Sequence, residues 1–167
     1  FEASVIGWLV TFFIDSGAAD AQTAQLLATA LWGALLIGRF ASAWLATRFS
    51  PQRMICVMTI GTAVCFSVIM CSHSLVPMAL GTFGIGLFMA GMYGTTLGGS
   101  DNLIGRYPMC MGMFIVIPGV GAAVTQSVIG VIADRIGIRG GMYVLYVLIA
   151  LMLLATVLFV AHGRKKA

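Results

Sequence analysis

Glu2 and Arg39 are the residues best placed to do chemistry, because each is an ionisable group set deep within an apolar segment. Glu2 precedes Asp15, which closes the first segment, by thirteen residues. At 1.5 Å per residue that is about 20 Å of helix. Arg39 follows Ala24, where the second segment starts, by fifteen residues, or about 22 Å from the same membrane face. Opposite charges at nearly equal depth on adjacent antiparallel helices predict an intramembrane ion pair, since a lone charge at that depth is costly and a partner offsets the cost. The alternative is an Arg39 that snorkels to the headgroups while Glu2 stays protonated in a pocket. Arg48 lies about 13 Å further along the axis, a long reach for one side chain. Such a pair can also carry a proton, with Glu2 protonated in one conformational state and ionised beside Arg39 in another.

Polar side chains in the other segments supply candidates for binding a solute. Ser4, Trp8, Thr11 and Asp15 share one helical face, and Glu2 lies about 160° from Ser4, turned towards a neighbouring helix. Trp8 and Thr11 are therefore solute contacts in this reading. Trp32 lies on the face of Arg39 with Ala28, Ala43 and Ala46; an indole there either stacks on a sugar ring or cation or packs within a bundle. Tyr93, Thr96 and Ser100 make a polar stripe, and Gln126 in mid-segment needs partners for its amide, from another helix or from a solute.

Gly94-Thr-Thr-Leu-Gly98 is a GxxxG sequence, and Gly81, Gly84, Gly86 and Gly91 precede it. Such glycines let other backbones approach closely; gating by helix bending at Gly94 and Gly98 is the functional alternative. No zinc spacing, Walker loop, nucleophile elbow or dinucleotide fingerprint occurs, so no catalytic residue, metal or cofactor is expected. Cys56, Cys65, Cys71 and Cys110 lack metal-type spacing and read as buried free thiols.

The elements that must position these residues are helices in a membrane. Hydrophobic residues make up 60% of the 167-residue chain, charged residues 8%, and the mean hydropathy is +1.06. Apolar spans run over 1–14, 24–47, 54–72, 75–100, 109–133 and 141–161. Crossing about 30 Å of hydrocarbon takes about 20 helical residues, which five spans supply; the first reaches only about 21 Å. The chain starts with Phe1 and has Glu2 where a signal peptide needs positive charge, so Phe1 is expected to lie inside a helix whose beginning is missing. Barrel strands are about 10 residues long and alternate in polarity, which excludes them.

Arg48, Arg53, Arg106, Arg164, Lys165 and Lys166 fall on one side of this topology, and Arg135 and Arg139 on the other. The positive-inside rule puts the first group, and the C-terminus, in the cytoplasm. The C-terminal basic trio then suits anionic headgroups rather than nucleic acid. The third and sixth spans contain no charge, amide or proline and can face lipid all round, whereas the others carry polar groups. The pattern is two cavity-type helices and one peripheral helix, repeated. Leu45-Ala-Thr-Arg48 and Ile132-Ala-Asp-Arg135 echo one another 87 residues apart. Three helices separate them, which predicts inverted repeats over 1–72 and 73–167.

Several stretches resemble a known family. Glu2-Ala-Ser-Val-Ile-Gly-Trp8-Leu-Val-Thr-Phe is similar to helix seven of the sugar:proton symporters of the major facilitator superfamily, the branch that includes fucose permeases. Trp32-Gly-Ala-Leu-Leu-Ile-Gly38-Arg39 with Arg48 and Arg53 resembles helix eight and its cytoplasmic loop. Gly86-Leu-Phe-Met-Ala-Gly-Met-Tyr-Gly94-Thr-Thr resembles helix ten, and Gly130-Val-Ile-Ala-Asp134-Arg-Ile-Gly137 the exit of helix eleven. Gly94 stands where the branch often has proline, Gln126 stands near another usual proline, and the Arg48 loop lacks the superfamily's acidic residue.

The resemblance implies an all-α membrane protein of six transmembrane helices in two inverted three-helix repeats, half of a twelve-helix fold whose N-terminal half is missing. It implies proton-coupled transport of a small, sugar-like solute by alternating access, in the lipid bilayer of a bacterial inner membrane. A six-helix channel or oligomeric pore would require a continuous polar stripe or a charged ring. A transporter-shaped sensor or a structural membrane subunit is a third class.

Overall fold

The computed structural model describes residues 1–100, 105–107 and 109–164, with side chains described as far as Ala161. Lys165 and Lys166 of the C-terminal basic trio lie outside the described residues, as does the side chain of Arg164. The helices are α1 (Glu2–Asp15), α2 (Ala21–Ala46), α3 (Pro51–Cys71), α4 (Leu75–Met89), α5 (Met92–Gly99), α6 (Met109–Ile136), α7 (Ile138–Met142) and α8 (Val144–Arg164). Because α4 and α5 form one pass and α7 and α8 another, five helices are long and apolar enough to cross a membrane: Ala21–Ala46, Pro51–Cys71, Leu75–Gly99, Met109–Ile136 and Ile138–Ala161. At 14 residues, α1 is shorter than any of them.

Local chemistry explains the boundaries. Pro51 occupies the first turn of α3 after Ser50, where its missing N–H costs nothing and its fixed φ suits the helix. Two turns require glycine. Gly17 after α1 has φ +67 and Gly137 between α6 and α7 has φ +84, a left-handed conformation that penalises a Cβ. Within the helices, Thr59, Ser67, Thr82 and Ser127 donate to carbonyls four residues earlier, at 2.8–2.9 Å, so these hydroxyls need no solvent partner. Ser4 Oγ and Thr62 Oγ1 are buried without a hydrogen-bond partner.

The core joins all the passes. Leu9, Phe12 and Phe13 of α1 share one apolar cluster with Leu31 and Leu35 of α2, Phe66 and Ile69 of α3, Met78 and Ile85 of α4, Ile129 of α6 and Leu145 of α8. The Phe66 ring lies edge-on to Phe1 at 5.6 Å and to Tyr146 at 5.1 Å, a favoured arrangement for aromatic quadrupoles. α4 packs chiefly on α3 and α2, α3 also on α8 and α5, and α1 on α2 and α6. The boundary between 72 and 73 therefore runs through a packed interface.

Two elements differ from the sequence expectation. α3 carries no charge, amide or proline from Met54 onward, yet it does not face outward all round: Met54, Ile55, Met58, Thr59, Thr62, Phe66, Ile69 and Met70 are buried. The absence of charge after Arg53 suits a protein interior as well as lipid, so composition alone could not choose. Conversely, Ile129 alone is buried among the described residues of α6, although that helix carries Pro118 and Gln126. The thiols are all free, but Cys71 is exposed and Cys56, Cys65 and Cys110 are only partly buried.

Candidate functional site

The structure brings Glu2 and Arg39 together: Arg39 Nη2 lies 3.6 Å from Glu2 Oε1. Glu2 opens α1 and Arg39 sits two-thirds of the way along α2, and antiparallel packing of the two helices levels them, as their depths required. The separation is an ion pair without a hydrogen bond. The Arg39 side chain is 60% exposed and that of Glu2 38%, so each retains free hydrogen-bonding capacity towards the space in front of it.

That space is a cleft of about 680 Å³ walled by α1, α2, α3 and α5. Arg39, Ser42, Ala43 and Ala46 present one face of α2 to it, and Tyr93, Gly94, Thr95 and Gly98 come from α5. The volume falls within the few-hundred to 1,000 Å³ range usual for small-molecule sites. A charge pair, a phenol and hydroxyls at one place in otherwise apolar walls can orient a small polar molecule and exchange hydrogen bonds with it.

Tyr93 is the one solute-contact candidate from the sequence that lines this cleft. Thr96, three residues on, donates instead to Met92 O at 2.8 Å, and its neighbour Thr95 takes the lining position. Gln126 Nε2 donates to Ala3 O at 2.8 Å, tying α6 to α1. Gly7 makes room for it, since a Cβ there would come within 3.1 Å of that nitrogen. Trp8 turns towards α6, where a Cβ on Gly130 would sit 3.3 Å from its ring. Trp32 is 55% exposed and Thr11 is exposed, and neither borders the cleft.

Gly94 and Gly98 have nothing within 4 Å of a Cβ position. They leave room in the cleft rather than admit a backbone. The interruption of the pass lies before them, at Ala90 and Gly91 between α4 and α5. Arg48 lies over the Trp44 ring, 4.7 Å from its centroid, and exposed Arg53 opens on a second groove that adjoins the cleft at Ser42, Phe49 and Met54.

Sequence reading missed Ser42 and Thr95. Ser42 was detectable in principle, because it follows Arg39 by three residues and so shares its face. Thr95 lacked such a signal: it and Thr96 are chemically alike, and Thr95 is set apart only by sharing a face with Gly91 and Gly98, which also line the cleft.

No family model matches the chain, and no solved structure matches it. Curated relatives do. Major facilitator superfamily domain-containing protein 4A from Mus musculus is 26% identical over 118 residues, 70% of this chain and 23% of that protein. The Homo sapiens protein of the same name is 28% identical over the same span, and that from Danio rerio 26% over 110 residues, 65% of this chain. The chain thus spans about a quarter of the length of the curated relatives it matches. Taken with the apolar passes, these similarities support kinship with the multi-pass membrane proteins of the major facilitator superfamily.

Proposed function

We propose that the chain forms the C-terminal six-helix half of a secondary transporter, with 1–72 and 73–167 as its inverted repeats. It moves a small polar organic solute, sugar-like in chemistry, by alternating access with proton coupling. The observation that carries this reading is the Glu2–Arg39 pair on the wall of a cleft of about 680 Å³ that also holds Tyr93, Ser42 and Thr95. An ionisable pair inside a membrane bundle is expensive to keep and marks ion or substrate pathways by default. An N-terminal half of the same transporter closes the open side of the cleft, and rocking of the halves exposes the site to each face in turn.

In this mechanism Arg39 alternates between Glu2 and the solute. When Glu2 takes up a proton from the outer solution its hold on the guanidinium is lost and Arg39 turns to the solute; release of the solute to the cytoplasm lets Glu2 give up its proton there and re-form the pair. Tyr93 and Thr95 supply hydrogen bonds that orient the solute, and Ser42, whose hydroxyl donates to Arg39 O at 2.9 Å, serves only as an acceptor. The basic loops and the C-terminus lie on the cytoplasmic side of a plasma membrane, consistent with the positive-inside bias.

The test is counterflow of labelled sugars in proteoliposomes holding the full-length protein. Saturable exchange that persists in Glu2→Gln while proton-driven accumulation is lost supports the reading, because exchange needs the site but not net proton movement. Ohmic ion current without exchange overturns it in favour of a pore.

A further inference from the structure

We infer that the groove between α2, α3 and α4 is a binding site for an anionic phospholipid, with one acyl chain in the groove and the phosphate at Arg53 and Arg48. The groove adjoins the solute cleft, with which it shares Ser42, Phe49 and Met54, but it holds neither Glu2 nor Arg39. It has a volume of about 410 Å³, and its walls are apolar: Ala41 and Leu45 from α2, Val57 and Met58 from α3, Leu87 and Phe88 from α4. Ala41 lies about 160° around α2 from Ala43, which faces the cleft, at 3.6 residues per turn. A polar solute gains nothing from such walls, whereas an acyl chain does, at about 0.8 kcal/mol per buried CH₂.

The charge at the mouth selects the head. Arg53 is the groove's single charged lining residue and is exposed, and neither it nor Arg48 has a carboxylate within ion-pair distance among the described residues. Arg48 stacks on Trp44, which is 58% exposed. Tryptophan and arginine side by side at a helix end are typical of the headgroup level of a bilayer. The phosphate also meets the start of α3, where Pro51 has no N–H and Met54 N–H bonds to Ser50 O, so that the amides of Gln52 and Arg53 have no intrahelical acceptor. From Gly38 to Leu45 the groove follows seven residues of α2, about 10 Å at helical rise, room for about half the length of one acyl chain. The loop's lack of an acidic residue, a departure in sequence, leaves both arginines available to a phosphate. This assignment depends on the chain spanning a bilayer and not on what the chain transports.

Photo-crosslinking tests it in the full-length protein reconstituted into phosphatidylcholine bilayers, with phosphatidylglycerol or phosphatidylcholine carrying a diazirine in the acyl chain. Labelling should concentrate in peptides spanning 38–58 and 87–88 and favour phosphatidylglycerol. With roughly a fivefold preference for each basic side chain near the headgroups, Arg48→Gln with Arg53→Gln should reduce phosphatidylglycerol labelling to the phosphatidylcholine level. Ala41→Leu, which obstructs the groove without touching the arginines, should lower labelling there by either lipid severalfold while the protein's melting temperature holds. Equal labelling by the two lipids in the wild type overturns the proposal. So does a phosphatidylglycerol preference that survives Ala41→Leu at full strength, which would mark surface attraction without a groove. Displacement of the phosphatidylglycerol probe by oleate but not by unlabelled phosphatidylglycerol assigns the groove to a free fatty acid and overturns the phospholipid.

Discussion

α4 and α5 belong to one pass of the membrane and are both rich in glycine, yet their glycines do opposite things. In α4, a methyl on Gly86 would come within 2.7 Å of Ala34 Cβ and 3.0 Å of the Leu31 carbonyl; at Gly91, just beyond α4, it would meet Ser42 Cβ at 2.3 Å. There the missing side chain lets α4 approach α2, the small-residue packing expected where lipid offers helices no hydrophobic drive to associate. In α5, Gly94 and Gly98 face empty space and border the cleft of Glu2 and Arg39. The same residue type therefore builds a contact on one side of Ala90–Gly91 and a void on the other.

Filling the contact and filling the void should separate stability from activity. Gly86→Leu forces α4 and α2 apart against a backbone oxygen that cannot yield. Overpacking of this kind costs about 1–3 kcal/mol or more, so the detergent-solubilised protein should lose roughly 5–10 °C in melting temperature, read by the fluorescence of a thiol-reactive dye. An unchanged melting temperature would mean that the helices do not meet there. Gly94→Leu places its side chain in the cleft, where nothing resists it. Its melting temperature should stay within about 2 °C of wild type while solute counterflow falls at least tenfold. If Gly94→Leu unfolds the protein as Gly86→Leu does, the distinction between the two ends of the pass is lost.

This distinction also marks where sequence reasoning stopped. Hydropathy and length located the passes to within a few residues, because about 20 apolar residues in succession have few other uses. Counting residues from Asp15 and Ala24 levelled Glu2 with Arg39 because helical rise is constant, and the two charges lie 3.6 Å apart. Rotation about each axis was harder to read. Beyond Arg53, α3 carries no charge or amide, only small hydroxyls, and so has no strongly polar face to orient it. Ala90, Gly91, Gly94, Thr95 and Gly98 share one face of the pass, but nothing in the sequence says that this face, and not the one with Thr96 and Ser100, borders the cleft. Trp8, Trp32 and Gln126 were legible as unusual residues, but Trp8 and Gln126 meet Gly130 and Ala3, 122 and 123 residues away in the chain, and Trp32 is largely exposed. Gln126, for example, meets Ala3, a contact that local spacing cannot encode.

The charges in the cleft extend the comparison, because they too should matter for activity and little for folding. Both side chains of the pair are partly exposed, so Glu2→Gln and Arg39→Ala should each move the melting temperature by about 1 °C or less, while transport driven by a proton gradient falls about tenfold or more. The two residues contact one another, so their effects should not add. The double variant should recover part of the exchange lost by the worse single variant, since neither charge is then left alone. Equal or worse exchange in the double variant removes the functional coupling, although the ion-pair geometry would stand.

The smallest effect belongs to the packed side, where α3 meets α8. Thr59 Oγ1 and Thr156 Oγ1 lie 3.1 Å apart in the interior, within reach of an interhelical hydrogen bond in a region otherwise held by shape. The two hydroxyls have two protons for three bonds, so the interhelical bond forms only when one of them gives up the acceptor on its own helix, Ile55 O for Thr59 or Met152 O for Thr156, both at 2.8 Å. Removing one hydroxyl therefore leaves the other bonded to its own backbone instead of orphaned, and the large penalty for an unsatisfied buried group does not arise. The coupling between Thr59→Val and Thr156→Val in a double-mutant cycle of unfolding should be about 0.6 kcal/mol, the average for such bonds between membrane helices. A coupling above about 2 kcal/mol would mean that polar bonds, and not close contact between small residues, set the stability of the packed side. It would leave Gly86→Leu as a local injury and not the general measure of how these helices hold together.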